Sequence, residues 1–194
     1  MRSLAILTFL TLDGVMQGPS SPQEDPSGGF TRGGWAADYW GITMDSVRKE
    51  AMSTPYDMLF GRKTYELFAG HWPKADPADP DARRLTEATK YIATSSGKTY
   101  DWDNTVVLDG DIPARVAELK AQDGPLIQIH GSGELVRSLI EADLIDAFRL
   151  WTFPVTVGDG KRLFGRGTPP RTLSLLKAEP LQNGVLMQIY ARAR

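Results

Sequence analysis

The chain has 194 residues, of which 41% are hydrophobic and 24% charged, as is typical of a folded globular protein. Its 22 basic and 24 acidic residues provide neither the basic surface that binds nucleic acid nor a polybasic membrane patch, so neither partner is expected. The lack of cysteine excludes disulfides and thiolate sites, and two histidines are too few for a metal cage, so no metal site is predicted.

The first apolar segment, residues 3–12, ends at the turn-forming pair Asp13 and Gly14. It is similar to the apolar core of a signal peptide, but no small-residue cleavage site follows, and its threonines favour a buried strand. No stretch reaches the ~20 apolar residues that a membrane-spanning helix needs. The sequence therefore predicts a cytoplasmic protein, with secretion as the less favoured alternative.

Strand and helix patterns alternate along the rest of the chain. A loop rich in Gly, Pro and Ser at 17–34 is long enough to predict a lid beside a site. This alternation predicts one α/β domain over 1–194, with a mostly parallel sheet and a C-terminal antiparallel hairpin that turns at Asn183 and Gly184. Helices are predicted at 42–52, 64–69, 82–88, 112–122 and after Gly133, and further strands at 56–60, 91–94, 105–108, 126–130, 147–153, 172–177 and 185–191.

Three of the predicted strand ends carry groups that suit phosphate. Free backbone N–H groups and a helix dipole favour an anion where a glycine turn leads from a strand into a helix, although a plain turn is the alternative. Ligands of open α/β sheets bind outside the carboxyl ends of strands, so the coincidence predicts a phosphate-bearing ligand. The groups belong to Gly61, Arg62, Lys63 and Thr64, to Thr94, Ser95 and Ser96, and to Gly131, Ser132 and Gly133.

Aromatic residues provide a second candidate surface. Trp35, Tyr39 and Trp40 follow the long loop, and Trp151 and Phe153 lie on the strand at 147–153. Flat apolar rings of this kind line small-molecule pockets and would suit a planar heterocycle. Ordinary core packing is the alternative interpretation for each of them.

Five motifs in a fixed order carry a family resemblance: 11–14 (TLDG), 59–66 (LFGRKTYE), 93–96 (ATSS), 130–135 (HGSGEL) and 154–164 (PVTVGDGKRLF). Together they resemble the dihydrofolate reductase superfamily, and most closely the C-terminal reductase domain of the bacterial riboflavin-biosynthesis protein. The resemblance implies a three-layer fold with helices on both faces of the sheet. It also implies an NADPH-dependent reductase that delivers hydride to a C=N or C=O bond of a small, heterocyclic substrate.

The resemblance also implies where the ligands bind. NADPH phosphates, including the extra 2′-phosphate, would meet Arg62, Lys63, Thr64, Thr94, Ser95 and Ser96, beside Gly61. The pyrophosphate would lie at the helix start formed by Gly131, Ser132, Gly133, Glu134 and Leu135. The substrate pocket would include Asp13, Trp35, Trp40 and Phe153. A homodimer is expected as well, because that branch pairs through its sheet edge and late loop, and an apolar run at 150–157 precedes Gly158.

The resemblance also implies a proton donor on the first helix. In dihydrofolate reductases this acid lies sixteen positions before the glycine of their G-R-x-T motif. Counted back from Gly61 in this chain, that position is Asp45. Such an acid needs burial to raise its pKa. Asp38 and a bound water are the alternatives, and the Pro-Trp element expected before that helix is missing, which argues against dihydrofolate itself.

The sequence leaves two other functional classes open. A non-catalytic NADP(H)-binding module on the same fold is the main alternative. A serine hydrolase using Ser132 and His130 is disfavoured, because neighbouring backbone positions rarely present a productive nucleophile and base.

Overall fold

Eight strands and five α-helices make up the regular structure of residues 1–193, which the computed structural model describes. The strands are β1 (Leu4–Thr11), β2 (Tyr56–Gly61), β3 (Lys90–Ala93), β4 (Thr105–Leu108), β5 (Leu126–Ile129), β6 (Ala147–Phe153), β7 (Leu173–Pro180) and β8 (Leu186–Arg192). The helices are α1 (Trp40–Ala51), α2 (Arg62–His71), α3 (Pro80–Glu87), α4 (Ile112–Ala121) and α5 (Gly133–Glu141). Within these residues, no helix has the length and apolar character that a bilayer crossing requires.

The strands form one mixed sheet in the order β4-β3-β2-β5-β1-β6-β8-β7. β2 pairs in parallel with β3 and β5, and β3 pairs in parallel with β4. β8 runs antiparallel to β6 and β7, and Gly184 in the connecting turn has a φ of +86°. This confirms the predicted α/β class, a mostly parallel sheet with an antiparallel C-terminal hairpin.

Element boundaries differ from the predicted ones for local reasons. α2 begins at Arg62, two residues early, because Gly61 has an extended backbone and precedes the helix as its N-cap residue. β7 continues to Pro180 although proline cannot donate a ladder hydrogen bond. The strand lies at the edge of the sheet, where proline is tolerated.

The chain divides into two compact units, each made of two separate stretches. The first unit contains residues 1–5 and 54–145, and the second contains residues 6–53 and 146–194. The single domain that the sequence predicts stays a prediction.

In the first unit, β2 is buried along its whole length. A strand covered on both faces reads as a continuous apolar run, which is why residues 56–60 were predictable as a strand. Asp57, the second residue of β2, forms a buried ion pair with Arg2, and Arg2 Nε also donates to Pro125 O at 2.8 Å. The second residue of the chain is therefore part of this core.

The end of β2 lies very close to the loop that follows β5. Gly61 N donates to Gly131 O at 3.3 Å, and a Cβ at Gly61 would overlap Ser132 Oγ. Gly131 has a φ of +141°, and a Cβ there would lie 2.9 Å from Thr64 Oγ1. Both positions require glycine for this approach.

A lysine is buried in the same unit. Lys90, the first residue of β3, donates from Nζ to Leu85 O at 3.0 Å and to Thr86 O at 2.7 Å, two carbonyls in the last turn of α3. Its Nζ lies 4.6 Å from the centre of the Trp102 ring. Burial lowers the pKa of Lys90 to about 8, although the charges of two nearby aspartates act in the opposite direction.

In the second unit, α1 packs onto the sheet through Val47 and Ala51, against a core that contains Trp151 and Met187. Trp151 Nε1 donates to Ser46 Oγ on the same helix at 3.1 Å. These contacts fix the rotation of α1 about its own axis.

The long loop at 17–34 is held by buried polar contacts. The side chain of Gln17 donates to Asp25 O and Ser27 O, both at 2.9 Å, and accepts from Lys161 N at 2.9 Å. Lys161 Nζ lies 2.7 Å from Asp25 Oδ2. Burial alone would raise the pKa of Asp25, but the hydrogen bonds from Lys161 and Ser27 lower it. The segment predicted to be a lid is thus tied to the loop that contains Lys161.

The buried Lys90 predicts a pH-dependent stability. Between pH 8 and 10 the unfolded chain holds a proton at Lys90 that the folded chain has released, so the free energy of unfolding should rise with pH. Relative to Lys90→Met, the wild-type protein should gain about 1–2 kcal/mol over this interval in urea unfolding. The interval ends at pH 10 because burial raises the pKa of Tyr56 to about 12, which lowers stability above that pH. Lys74→Met, at an exposed position, is the control, and a profile parallel to wild type in Lys90→Met would contradict the assignment.

The glycine contact predicts a second result. Gly61→Ala should destabilise the protein by about 1–3 kcal/mol, because the new methyl group overlaps Ser132. Ser132→Gly should recover much of this loss in the double variant, since it removes the overlapping atoms. Gly70→Ala in α2 is the control: no atom lies within 4 Å of a Cβ there, so it should stabilise by about 0.5–1 kcal/mol. Equal effects at Gly61 and Gly70 in thermal and urea unfolding would show that the overlap is relieved without cost.

Candidate functional site

Two helices of the first unit begin directly at the ends of neighbouring parallel strands. α2 follows β2 at Gly61, and α5 follows β5 after a short turn that ends at Ser132. Because β2 and β5 run in parallel, the N-termini of both helices lie at the carboxyl edge of the sheet. The peptide bond between Gly131 and Ser132 in this turn is cis.

Neither helix has a side-chain cap at its N-terminus. Gly61 has no side chain, and the hydroxyl of Ser132 makes no capping hydrogen bond to α5. By contrast, Asp79 accepts a hydrogen bond from the first turn of α3, and Asp111 does so for α4. The first N–H groups of α2 and α5 are therefore not taken by a capping side chain, and together with the helix dipoles they favour an anionic ligand.

Three charged side chains meet beside the start of α2. Arg62 Nη1 donates to both carboxylate oxygens of Glu66, at 3.2 and 3.3 Å, and Lys98 Nζ lies 3.6 Å from Glu66 Oε1. Their side chains are 41–62% exposed, so solvent and ligands reach them. Two cations and one anion leave a local positive charge on a chain whose net charge is −2.

The hydroxyl groups that follow β3 belong to the same region. Ser96 Oγ lies 2.7 Å from Tyr100 OH, which is also 3.4 Å from Thr94 Oγ1. The ring of Tyr100 contacts that of Tyr65 in α2, with 5.1 Å between the ring centres. The loop after β3 is thus attached to α2 through Tyr100 as well as through Lys98.

The structure therefore brings the three predicted phosphate-binding segments together in the first unit. Gly61 and Thr64 meet Gly131 and Ser132, while Glu66 joins Arg62 to the loop after β3. Of the other residues predicted there, Lys63, Ser95 and Glu134 are exposed and Gly133 begins α5. Leu135 is buried, so it offers a ligand only its backbone.

Lys98, Glu66 and Tyr100 were not predicted as part of the site. Lys98 lies two residues after Ser96, so its nearness to the serines was the available signal. Its link to Glu66 joins residues 32 positions apart, which no local pattern reveals.

The aromatic residues of the second unit divide into core and surface. Phe153 is 0% exposed and packs edge-on against Trp35 at 5.3 Å and Phe9 at 5.7 Å. Trp35 and Trp40 are half-buried, and Trp40 contacts Phe9 at 5.3 Å. Phe153 is thus buried against the rings of Phe9, Trp35 and Tyr39, and its part in a substrate pocket stays a prediction. Trp35 and Trp40 remain partly exposed, and their contact with a substrate stays a prediction.

Asp13, the fourth residue predicted for the substrate pocket, is engaged with the protein itself. Its carboxylate accepts hydrogen bonds from Thr11 Oγ1 at 2.5 Å, Gly158 N at 2.8 Å and Val157 N at 3.3 Å. The bond from Thr11 lowers the pKa of Asp13 most, and the backbone donors add to this against the effect of burial. Asp13 thus joins the turn after β1 to the late glycine-rich loop, a structural role that the local sequence does not show.

Asp45 lies on the outer side of α1. Its side chain is 80% exposed and 3.4 Å from Arg48. Thr43, Val47 and Ala51 are the buried positions of the helix, and Asp45, two residues after Thr43, is turned about 200° away from that face. The burial that the predicted proton donor requires is therefore missing at Asp45, and Asp38 is exposed as well.

Comparisons with known proteins support this fold. This chain aligns over 97% of its length with the uncharacterized protein YyaP of Bacillus subtilis strain 168. The identity is 25%, and the alignment covers 94% of that protein. Among solved structures, a putative riboflavin biosynthesis protein from Shewanella sp. PV-4 superposes with a TM-score of 0.66 at 17% identity, with both chains fully covered.

A dihydrofolate reductase from Enterococcus faecalis, in complex with NADP(H) and RAB-propyl, superposes with a TM-score of 0.60 at 16% identity, covering 99% of this chain and 97% of that one. At such identities the two structures establish the fold alone. The model of the RibD C-terminal domain family matches residues 2–187, which is almost the whole sequence. The chain therefore belongs to the RibD C-terminal domain family.

Proposed function

We propose that this protein is an NADPH-dependent reductase that transfers hydride to a C=N or C=O bond of a small, planar heterocycle of the pteridine or pyrimidine type. The observation that carries the proposal is the pair of helix starts without side-chain caps, next to the cluster of Arg62, Glu66 and Lys98. Membership of a reductase family and a reductase fold support an oxidoreductase.

The described residues fit a dinucleotide that carries an extra phosphate. Helix N-termini favour a pyrophosphate, and α2 and α5 begin close together where Gly61 and Gly131 remove Cβ atoms from the approach. Cations favour the extra phosphate, and Arg62 and Lys98 converge on Glu66, while Lys98 N donates to Ser96 Oγ at 3.4 Å.

Each residue has a limited task in this proposal. The nicotinamide supplies the hydride when the cofactor is bound. The backbone of α2 and α5 binds and orients the phosphates, and Thr64 lies at their junction with its hydroxyl towards Gly131. Trp35 and Trp40 offer flat, half-buried faces to the substrate.

The source of the substrate proton follows from exposure. The side chains of Asp45 and Asp38 are exposed to solvent, without the burial expected of a general acid. Water is therefore the proposed proton source, and Asp45 is the residue to test against it.

The second candidate function is a module that binds NADP(H) without catalysis. The exposure of Asp45 is the observation that favours it. Saturable NADPH binding with no oxidation against a broad panel of pteridines, pyrimidines and carbonyl compounds would select this alternative.

Assembly as a homodimer and a cytoplasmic location are further proposals. Leu175 and Leu176 on the edge strand β7 and Phe164 in the late loop are exposed, which supports pairing through the edge and loop that the resemblance implies.

Arg62 tests the choice of cofactor. Arg62→Ala should weaken NADPH binding by about 10- to 100-fold while leaving NADH binding nearly unchanged, because a charge-assisted hydrogen bond to the extra phosphate is lost. Isothermal titration of both cofactors measures this. Arg115→Ala is a matched control, since Arg115 also pairs with a glutamate on its own helix and its side chain is 49% exposed. Equal losses for NADPH and NADH would remove Arg62 from the phosphate site.

Asp45 tests the proton source. Asp45→Asn should lower turnover by less than about tenfold, since an exposed carboxylate contributes little as a general acid. The rate of NADPH oxidation with the best substrate of the panel measures this, with NADPH affinity as the control. A fall of about 10²–10⁴ at unchanged affinity would instead identify Asp45 as the general acid.

A further inference from the structure

Glu66 is the carboxylate of the charged cluster in the first unit, and it pairs with both cations of that cluster, Arg62 and Lys98. It receives Arg62 from its own helix and Lys98 from the loop after β3, at 3.2 and 3.6 Å. The two cations come from different elements and converge on one anionic group.

This convergence is not explained by stability. In the second unit Glu50 likewise pairs with Arg149 and Lys177, but its side chain is only 15% exposed, whereas that of Glu66 is 41% exposed. Isolated ion pairs between exposed side chains contribute little to folding, because solvent screens them and ordering long side chains costs entropy. Arg115 and Glu118 on α4 form such a pair, and residues 1–193 show no third charge bonded to either. At Glu66 the same kind of pair recruits a lysine from a separate loop.

A carboxylate between two cations occupies the position that suits an incoming anion. A phosphate monoester binds through the same guanidinium and ammonium groups that Glu66 holds. Since like charges repel at this range, the phosphate and the Glu66 carboxylate cannot both use these cations at full strength.

We infer that Glu66 competes with the extra phosphate of the dinucleotide and thereby sets how strongly the protein prefers NADPH to NADH. This rests on the proposed function and adds a specificity-determining residue to it. In the free protein Glu66 holds Arg62 and Lys98 together. When the dinucleotide binds, the two cations leave Glu66 and bind the extra phosphate instead.

The decisive variant keeps the shape of the side chain and removes its charge. Glu66→Gln retains an oxygen that accepts hydrogen bonds but no longer repels the phosphate. It should tighten the binding of NADPH by about tenfold and leave NADH unchanged. Adenosine 2′,5′-bisphosphate, which carries the extra phosphate and no nicotinamide, should bind about tenfold more tightly as well, whereas 5′-AMP should not.

Isothermal titration of these four ligands against wild type, Glu66→Gln and the control Glu118→Gln makes the comparison. Glu118→Gln should leave all four affinities unchanged, since it removes the charge of a comparable exposed pair on α4. Lys98→Ala should weaken only the two ligands that carry the extra phosphate, and it keeps the inference testable if Glu66→Gln folds poorly. Melting temperatures check the fold of each variant.

The outcomes separate this inference from the proposed function. If wild type binds NADPH better than NADH but Glu66→Gln changes neither, or weakens NADPH, the competition is refuted and the proposed function stands. If wild type binds neither cofactor at millimolar concentration, the proposed function fails and the inference fails with it.

Discussion

The close approach of Gly61 to the Gly131–Ser132 turn is the constraint on which the candidate site depends. Without a Cβ at Gly61, the end of β2 and the turn after β5 can lie in contact, so two helices begin side by side. The same contact places the hydroxyl of Ser132 towards Gly61 and away from the first turn of α5. One packing requirement therefore both brings two sets of N–H donors together and prevents a side chain from capping them.

The parts of the molecule that could be predicted are those in which the local sequence and the final environment agree. β2 is apolar and fully buried, and the glycine turns lie at the strand ends where the predicted binding segments were placed. Asp45 shows what spacing along the chain does not reveal. The spacing between Asp45 and Gly61 is a count of residues along the chain. The direction of the Asp45 side chain depends instead on the rotation of α1 about its axis, which the buried residues Thr43 and Val47 fix.

Long-range polar contacts account for the remaining differences. Asp13 accepts backbone N–H groups about 145 residues away, and Glu66 meets Lys98 across a strand and a helix. Such partners are brought together by the fold, so no window of sequence contains both. Net charge was equally uninformative about the anion site, because a value of −2 for the whole chain is compatible with two cations gathered at one place.

The burial of Arg2 has a consequence for the order in which the chain can fold during synthesis. Arg2 is synthesised before its partners Asp57 and Pro125, which follow it by 55 and 123 residues. The first unit cannot close until residues up to 145 have emerged, and the second unit needs β8, near the end of the chain. Neither core is complete before these later residues are made, so the nascent chain must keep its apolar β1 segment unpaired until then, when it is most exposed to aggregation.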